Sequence, residues 1–213
     1  MPVLQALLTS EHFYDPVNMG CLIKAPVDFI AGFCRDYGVV FPDSTLLTNQ
    51  YNLWYQLYNF GISMGQTIGD PPNVAGWPAY YQEPQYHELW INASTLPARN
   101  IFSDTMSAKG FSSPGSKILF DVVAYTATLD TPSDPDLLIQ EVIDRNYTED
   151  VLQDVKDLLK GYLLNGQIAN SYWTTAWTDY TGDPTNTIYY NTVLTRLQAM
   201  YTYLMDLSEY QLS

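Results

Sequence analysis

Positive charge is what this chain has least of: nine Lys and Arg stand against 23 Asp and Glu in 213 residues, a formal net charge of −14. That mean field repels phosphates, which argues against nucleic acid and anionic membrane surfaces as partners. Only three basic residues, Lys24, Arg35 and Arg99, precede Lys109, and each is expected to have a partner among the surrounding carboxylates. Histidine is scarcer still, with two residues. Any imidazole acid–base scheme must use His12, flanked by Glu11 and Asp15, or His87, near Glu83 and Glu88. Pro84 interrupts the helix that would bring Glu83 to His87. There are two cysteines, Cys21 and Cys34, for which a disulfide and two buried thiols are both compatible with the spacing. They do not combine with the distant histidines into zinc-ligand spacing, so no metal and no cofactor is expected. No apolar run is long enough to span a bilayer, and the chain as given reads as soluble. The nucleophile elbow, the phosphate-cradling glycine loop, the His-Glu-x-x-His zinc motif and the calcium loop of alternating aspartates are all missing, so the familiar enzyme classes receive no support.

What is present is apolar and aromatic. Apolar residues make up 46% of the chain and charged ones 15%, a composition that can offset chain entropy and form a folded globule. Eighteen Tyr and five Trp combine flat apolar faces with polar tips, suited to half-buried positions and to sugar rings alike. The most distinctive segment is Gly65-Gln66-Thr67-Ile68-Gly69-Asp70-Pro71-Pro72-Asn73-Val74-Ala75-Gly76-Trp77-Pro78. Three prolines fix φ and Gly76 is free to take a positive φ, so the segment predicts a stiff bend presenting Asn73 and Trp77.

Helical periodicity runs through most of the remainder. Val3, Leu4, Leu7 and Leu8 form a stripe from the first turn. Ile30, Phe33, Cys34 and Tyr37 follow Pro26 at helical spacing until Gly38. A third helix is expected over about 44–60, broken by Gly61 and Gly65, and a fourth capped by Ser94 or Asn92 and running to about Met106. Residues 110–116 read as a connector and 117–120 as a short extended piece, with Asp121 capping a brief helix. Ser133-Asp134-Pro135-Asp136 and Thr148-Glu149-Asp150 each predict a helix start, the second leading the stripe Val151, Leu152, Val155, Leu158, Leu159, Tyr162 and Leu163. Tyr189, Val193, Leu197, Met200 and Leu204 stripe a C-terminal helix. The fold class is mainly α: an irregular multi-helix bundle with long ordered loops and little or no β. A motif-bearing region, 1–130, and a C-terminal region, 131–213, are expected to pack as one compact unit.

Several motifs together resemble a known family. They are Ser10-Glu11-His12-Phe13-Tyr14, Ile23-Lys24-Ala25-Pro26-Val27-Asp28-Phe29, Gly65-Gln66, the block from Pro71 to Pro78, Trp90-Ile91-Asn92 and Arg99. The chain resembles the bacterial domain-of-unknown-function 1800 family over most of its length. Its ending, with Tyr172-Trp173-Thr174-Thr175-Ala176-Trp177 and Leu207-Ser208-Glu209-Tyr210, is similar to the C-terminus of long members from Bacteroidetes-type bacteria. The resemblance implies a C-terminal half completed by an N-terminal helical part of a longer precursor, a periplasmic or secreted location, and sulfatase-like operon partners. It implies no established reaction.

Read for chemistry, Lys24, Arg35, Gln66, Asn73, Trp77, Trp90, Asn92 and Arg99 are the candidate ligand-binding residues. Guanidinium forks, amides and indoles are what would grip a polar carbohydrate or sulfated ligand near the 71–78 loop. The opposite reading has Asn73 capping backbone groups, Trp77 plugging a core and the arginines bridging helix ends. Tyr80, Tyr81, Tyr86 and Trp90 are suited to an oligosaccharide groove or to an interface with a missing N-terminal half. Asn92-Ala93-Ser94 and Asn146-Tyr147-Thr148 match the glycan-acceptor pattern, a frequent chance match. Three functions are therefore open: a binding protein of the cell envelope, a hydrolase acting on glycans, and a structural or docking module.

Overall fold

The structure is a computed structural model that describes residues 2–77 and 87–213. Nine α-helices and one two-stranded hairpin make up the regular structure of the described residues. The helices are α1 (Pro2–Leu8), α2 (Pro26–Asp36), α3 (Leu47–Ser63), α4 (Thr95–Ala108), α5 (Val122–Thr126), α6 (Pro135–Asn146), α7 (Gln153–Leu163), α8 (Ser171–Gly182) and α9 (Thr187–Asp206). Strands β1 (Phe111–Ser113) and β2 (Ser116–Ile118) pair antiparallel, with Phe111 opposite Ile118. The architecture is mainly α, as the periodicity predicts.

The C-terminal helix is the axis of the fold. Val193, Leu197, Met200 and Leu204 repeat at three- and four-residue spacing along α9 and are completely buried, so its apolar face meets α4, α5, α7 and α8. Helix α6 packs on α7, while α3 bridges α2, α4 and the hairpin. One buried cluster runs from Phe29 to Tyr210 and is knitted by aromatic edges. Phe33 meets Phe102 edge-on at 5.2 Å, and Phe120 meets Tyr201 at 5.0 Å, geometries that place the positive ring edge against a negative face. Tyr37, Tyr147, Tyr201 and Tyr210 are buried in this cluster.

The capping logic holds at several starts. Asp121 accepts from the Ala124 amide, and Asp134 from those of Asp136 and Leu137. Elsewhere the structure departs from the sequence reading. Helix α3 passes through Gly61 to Ser63, because the glycine is buried where the returning chain comes close: a Cβ there would stand 3.3 Å from the Gln66 carbonyl. Helix α7 begins at Gln153, after Thr148-Glu149-Asp150. Asp150 instead accepts from Val151 and pairs with Lys156, leaving Leu152 exposed in front of the helix. Helix α8 went unforeseen because Thr and Trp dominate it and blur its period. Trp173 nevertheless anchors it, fully buried, with its indole N–H donating to the Pro132 carbonyl at 2.8 Å. The α1 stripe is not core: Val3, Leu4, Leu7 and Leu8 are all exposed.

Candidate functional site

The motif residues of the sequence meet around the start of α2. Pro26 biases the preceding residue toward extended backbone, and Ala25 adopts φ −61°, ψ 151°. Residues 22–24 therefore enter the helix as a short strap. The end of the chain runs alongside it: Ile23 and Leu212 form an antiparallel bridge, the Lys24 amide donates to the Gln211 carbonyl at 2.8 Å, and the Ser213 amide to that of Leu22 at 2.8 Å.

Ala25 has no side chain with which to cap α2, so the cap comes from elsewhere. Gly65, at φ +94°, ends α3 in a left-handed residue, and the Gln66 amide returns to the Gly61 carbonyl at 2.8 Å. This six-to-one closure aims the Gln66 side chain at α2, where its Oε1 accepts from the Val27 amide at 2.9 Å. Asn92 performs the corresponding task on α4. Its Oδ1 accepts from Ser94 and Thr95, while the Thr95 hydroxyl donates to the Trp90 carbonyl and accepts from the Asn92 amide. The folded-back Trp90 is buried, with Trp77 half-buried at 6.4 Å, ring centroid to ring centroid.

One turn into α4, Arg99 enters the core. It is fully buried, donating through Nη2 to the Lys24 carbonyl at 2.6 Å and through Nη1 to Gln211 Oε1 at 3.2 Å, with its carbon 5.0 Å from the Phe29 ring centroid. Gln211 in turn donates to the Met205 carbonyl, while the Lys24 ammonium donates to the Tyr210 carbonyl and lies 4.8 Å from the Tyr210 ring centroid. Burial lowers the Arg99 pKa to about 10, leaving it charged at neutral pH. Burial also lowers Lys24, Asp36 opposing the shift and Arg99 adding to it. The expected carboxylate partners are not what hold these cations. The ion pairs of the described residues join Arg145 to Glu141, Lys156 to Asp150 and Lys160 to Asp136, whereas Lys24 and Arg99 rest on carbonyl oxygens and aromatic faces. Arg99 Nε–H has no acceptor among the described residues.

The remaining candidates lie apart from this knot. Asn73 closes an exposed turn: its Oδ1 accepts from Ala75 and its carbonyl from Gly76, which takes φ +93°. The bend predicted from the prolines is present, and residues 70–75 are solvent-exposed. Arg35, in the last turn of α2, is exposed and lines a groove between α2 and α3. His12 is exposed in a 3-10 turn, Glu88 is exposed and His87 half-buried. Cys21 is exposed and Cys34 half-buried, both as free thiols. Pro78, Tyr80, Tyr81, Glu83, Pro84 and Tyr86 lie outside the described residues. Among the described residues no group of three His, Cys, Asp or Glu is placed to hold a metal ion, and no helix is long and apolar enough to cross a membrane.

Gln211 is the member of the knot that sequence reasoning missed, because an amide 112 positions from Arg99 carries no local pattern. Tyr210 was visible only as part of the terminal motif.

These features define a helical protein whose shared motifs converge on a buried cation-and-amide knot joining its two chain straps. The chain matches the family described as protein of unknown function (DUF1800) over residues 1–212, and it belongs to that family. No curated protein and no solved structure matches it.

Proposed function

We propose that this chain is a structural docking module, in which the family motif fastens the fold and the 70–77 loop is the surface offered outward. The complete burial of Arg99 on the Lys24 carbonyl and Gln211 carries this reading. A guanidinium sunk among protein acceptors is unavailable to a solute, and its removal leaves buried carbonyl oxygens without donors. Gln66 and Asn92 are engaged in the same way, each capping a helix. Thermal melts of Arg99→Met and Trp77→Ala, with and without a panel of neutral and sulfated oligosaccharides, test it. Both variants are expected to melt lower while no saccharide moves the midpoint. A saccharide-induced shift that Arg99→Met abolishes, without itself lowering the melting temperature, would overturn it.

A polar carbohydrate or sulfated ligand at the loop is the second reading, favoured by the exposure of Asn73 beside the half-exposed face of Trp77. In that case Asn73→Ala and Trp77→Ala abolish calorimetric binding of the saccharide. Unchanged binding in both variants removes the loop from consideration.

A further inference from the structure

We propose that the groove between α2 and α3 binds a small carboxylate with an apolar tail, its carboxylate meeting Arg35 at the mouth and its tail lying between Trp54 and Ile30. This site goes beyond the docking role: it touches the Gln66 cap at Val27 and Gly61 but includes none of Lys24, Arg99 and Gln211.

The groove is a cavity of ≈ 340 Å³, within the size range of small-molecule clefts. Its walls are Ile30 and Cys34 from α2, Trp54 and Leu57 from α3, and Phe41 and Ile68 from the flanking loops. Gly61 lines the groove without a side chain; a Cβ there would stand 3.9 Å from Ile30 Cδ1. Trp54 and Ile68 leave 43% and 56% of their surface in solvent, an exposure that an apolar occupant would relieve.

Charge selects the head group. Among the described residues Arg35 is the only charged one of the lining, and it has no ion-pair partner there although acids outnumber bases 23 to nine in the sequence. A guanidinium presents a planar fork that fits a carboxylate through two parallel hydrogen bonds. The interior of the groove offers no second charge, since burial pushes the Cys34 thiol up to about 11 and keeps it protonated. An anionic head therefore belongs at the mouth, with the tail inside.

Size selects the tail. A groove of ≈ 340 Å³ lies at the small end of ligand clefts, which favours a short tail, and octanoate is the probe of that size. The exposed helix α1 of a second copy is the competing occupant. Its sequence Pro-Val-Leu-Gln-Ala-Leu-Leu carries no acid to meet Arg35.

Isothermal titration with octanoate, octan-1-ol and octyltrimethylammonium tests the assignment on wild type, Arg35→Gln and Ala31→Phe. Octanoate is expected to bind wild type more tightly than the alcohol, with the cation weakest. Arg35→Gln, an exposed position that should leave the fold intact, is expected to weaken octanoate about fivefold and to spare octan-1-ol. Ala31→Phe fills the groove and is expected to abolish octanoate binding. At alkaline pH, where part of the Cys34 thiol ionises, octanoate should also slow iodoacetamide labelling of Cys34 without slowing Cys21, a readout independent of whether the filled variant folds. Absence of octanoate binding overturns the proposal, as does equal affinity for acid and alcohol, or binding that survives in a folded Ala31→Phe. A dimer by sedimentation that Ala31→Phe dissociates would assign the groove to a second copy and overturn it equally.

Discussion

Replacing Arg99 by Met keeps most of the side-chain volume and removes the guanidinium. Two buried acceptors, the Lys24 carbonyl and Gln211 Oε1, then lose their donor. Each stranded acceptor costs about 1–3 kcal/mol. Against this, the native state no longer holds a desolvated cation whose Nε–H lacks a partner, and that relief offsets part of the loss. The net expectation is about 2–4 kcal/mol of destabilisation. For a chain of this size each kcal/mol moves the melting temperature by roughly 2–4 °C, so Arg99→Met should melt about 10 °C below wild type. Guanidinium titration of the intact chain should show a lower midpoint at unchanged slope. A double-mutant cycle identifies the cause: Gln211→Met alone is destabilising, but Arg99→Met with Gln211→Met should cost less than the sum by about 1 kcal/mol or more, because the second substitution removes an acceptor the first has already stranded. A melting temperature within 1–2 °C of wild type, or strict additivity in the cycle, would refute the claim that this knot fastens the two straps.

Gln66→Ala removes the only side-chain acceptor shown at the α2 start and should cost about 1 kcal/mol, read as a fall of roughly 2–4 °C in the melt. Gly110→Ala should cost about 3 kcal/mol or more, since the residue sits at φ +66° with its missing Cβ directed into the Ile118 carbonyl, and an equilibrium unfolding curve superimposable on wild type would contradict that geometry. Burial first, and the charge of Asp104 second, raise the Asp206 pKa from 3.8 to about 6. The folded chain therefore holds this proton more tightly than the unfolded one: the associated stability is present in full below pH 4 and is lost as pH rises through about 6. Because Asp206 is exposed by area, solvent screening keeps the effect small; Asp206→Asn should raise the melting temperature at pH 8 more than at pH 4, and equal shifts at both pH values would contradict it.

The elements legible in the sequence are those whose cause is local. Asp134 followed by Pro135 and Asp136 states a helix start within four residues, and the α9 stripe states its buried face within five turns; both are present in the structure. The bend at Asn73 and Gly76 is similarly local, since an Asx side chain and a left-handed glycine close it without outside help. Helix α8 and the hairpin strand β1 were not legible for the converse reason. Trp173 is helical because the Pro132 carbonyl and the core receive its indole, and Phe111 is extended because Ile118 pairs with it.

The site divides along the same line. Lys24, Gln66, Asn92 and Arg99 were recognisable as motif members, but their partners determine what they do, and those partners lie far away in sequence. Gln66 caps a helix 39 residues before it, and Arg99 reaches Lys24 75 residues before it and Gln211 112 residues after it. A scarce cation in an acidic chain predicts a partner of opposite charge, yet the knot uses carbonyl oxygens and ring faces. Neutral acceptors suit an enclosed position here: the groups that receive Arg99, which are the Lys24 carbonyl, Gln211 and the Phe29 ring, add no further charge to desolvate beyond the guanidinium and the neighbouring Lys24 ammonium, itself lowered by burial. Arg35 shows the reverse outcome of the same composition. Left at the end of α2 with no ion-pair partner among the described residues, its exposed guanidinium lines an apolar groove, where a solute can still reach it.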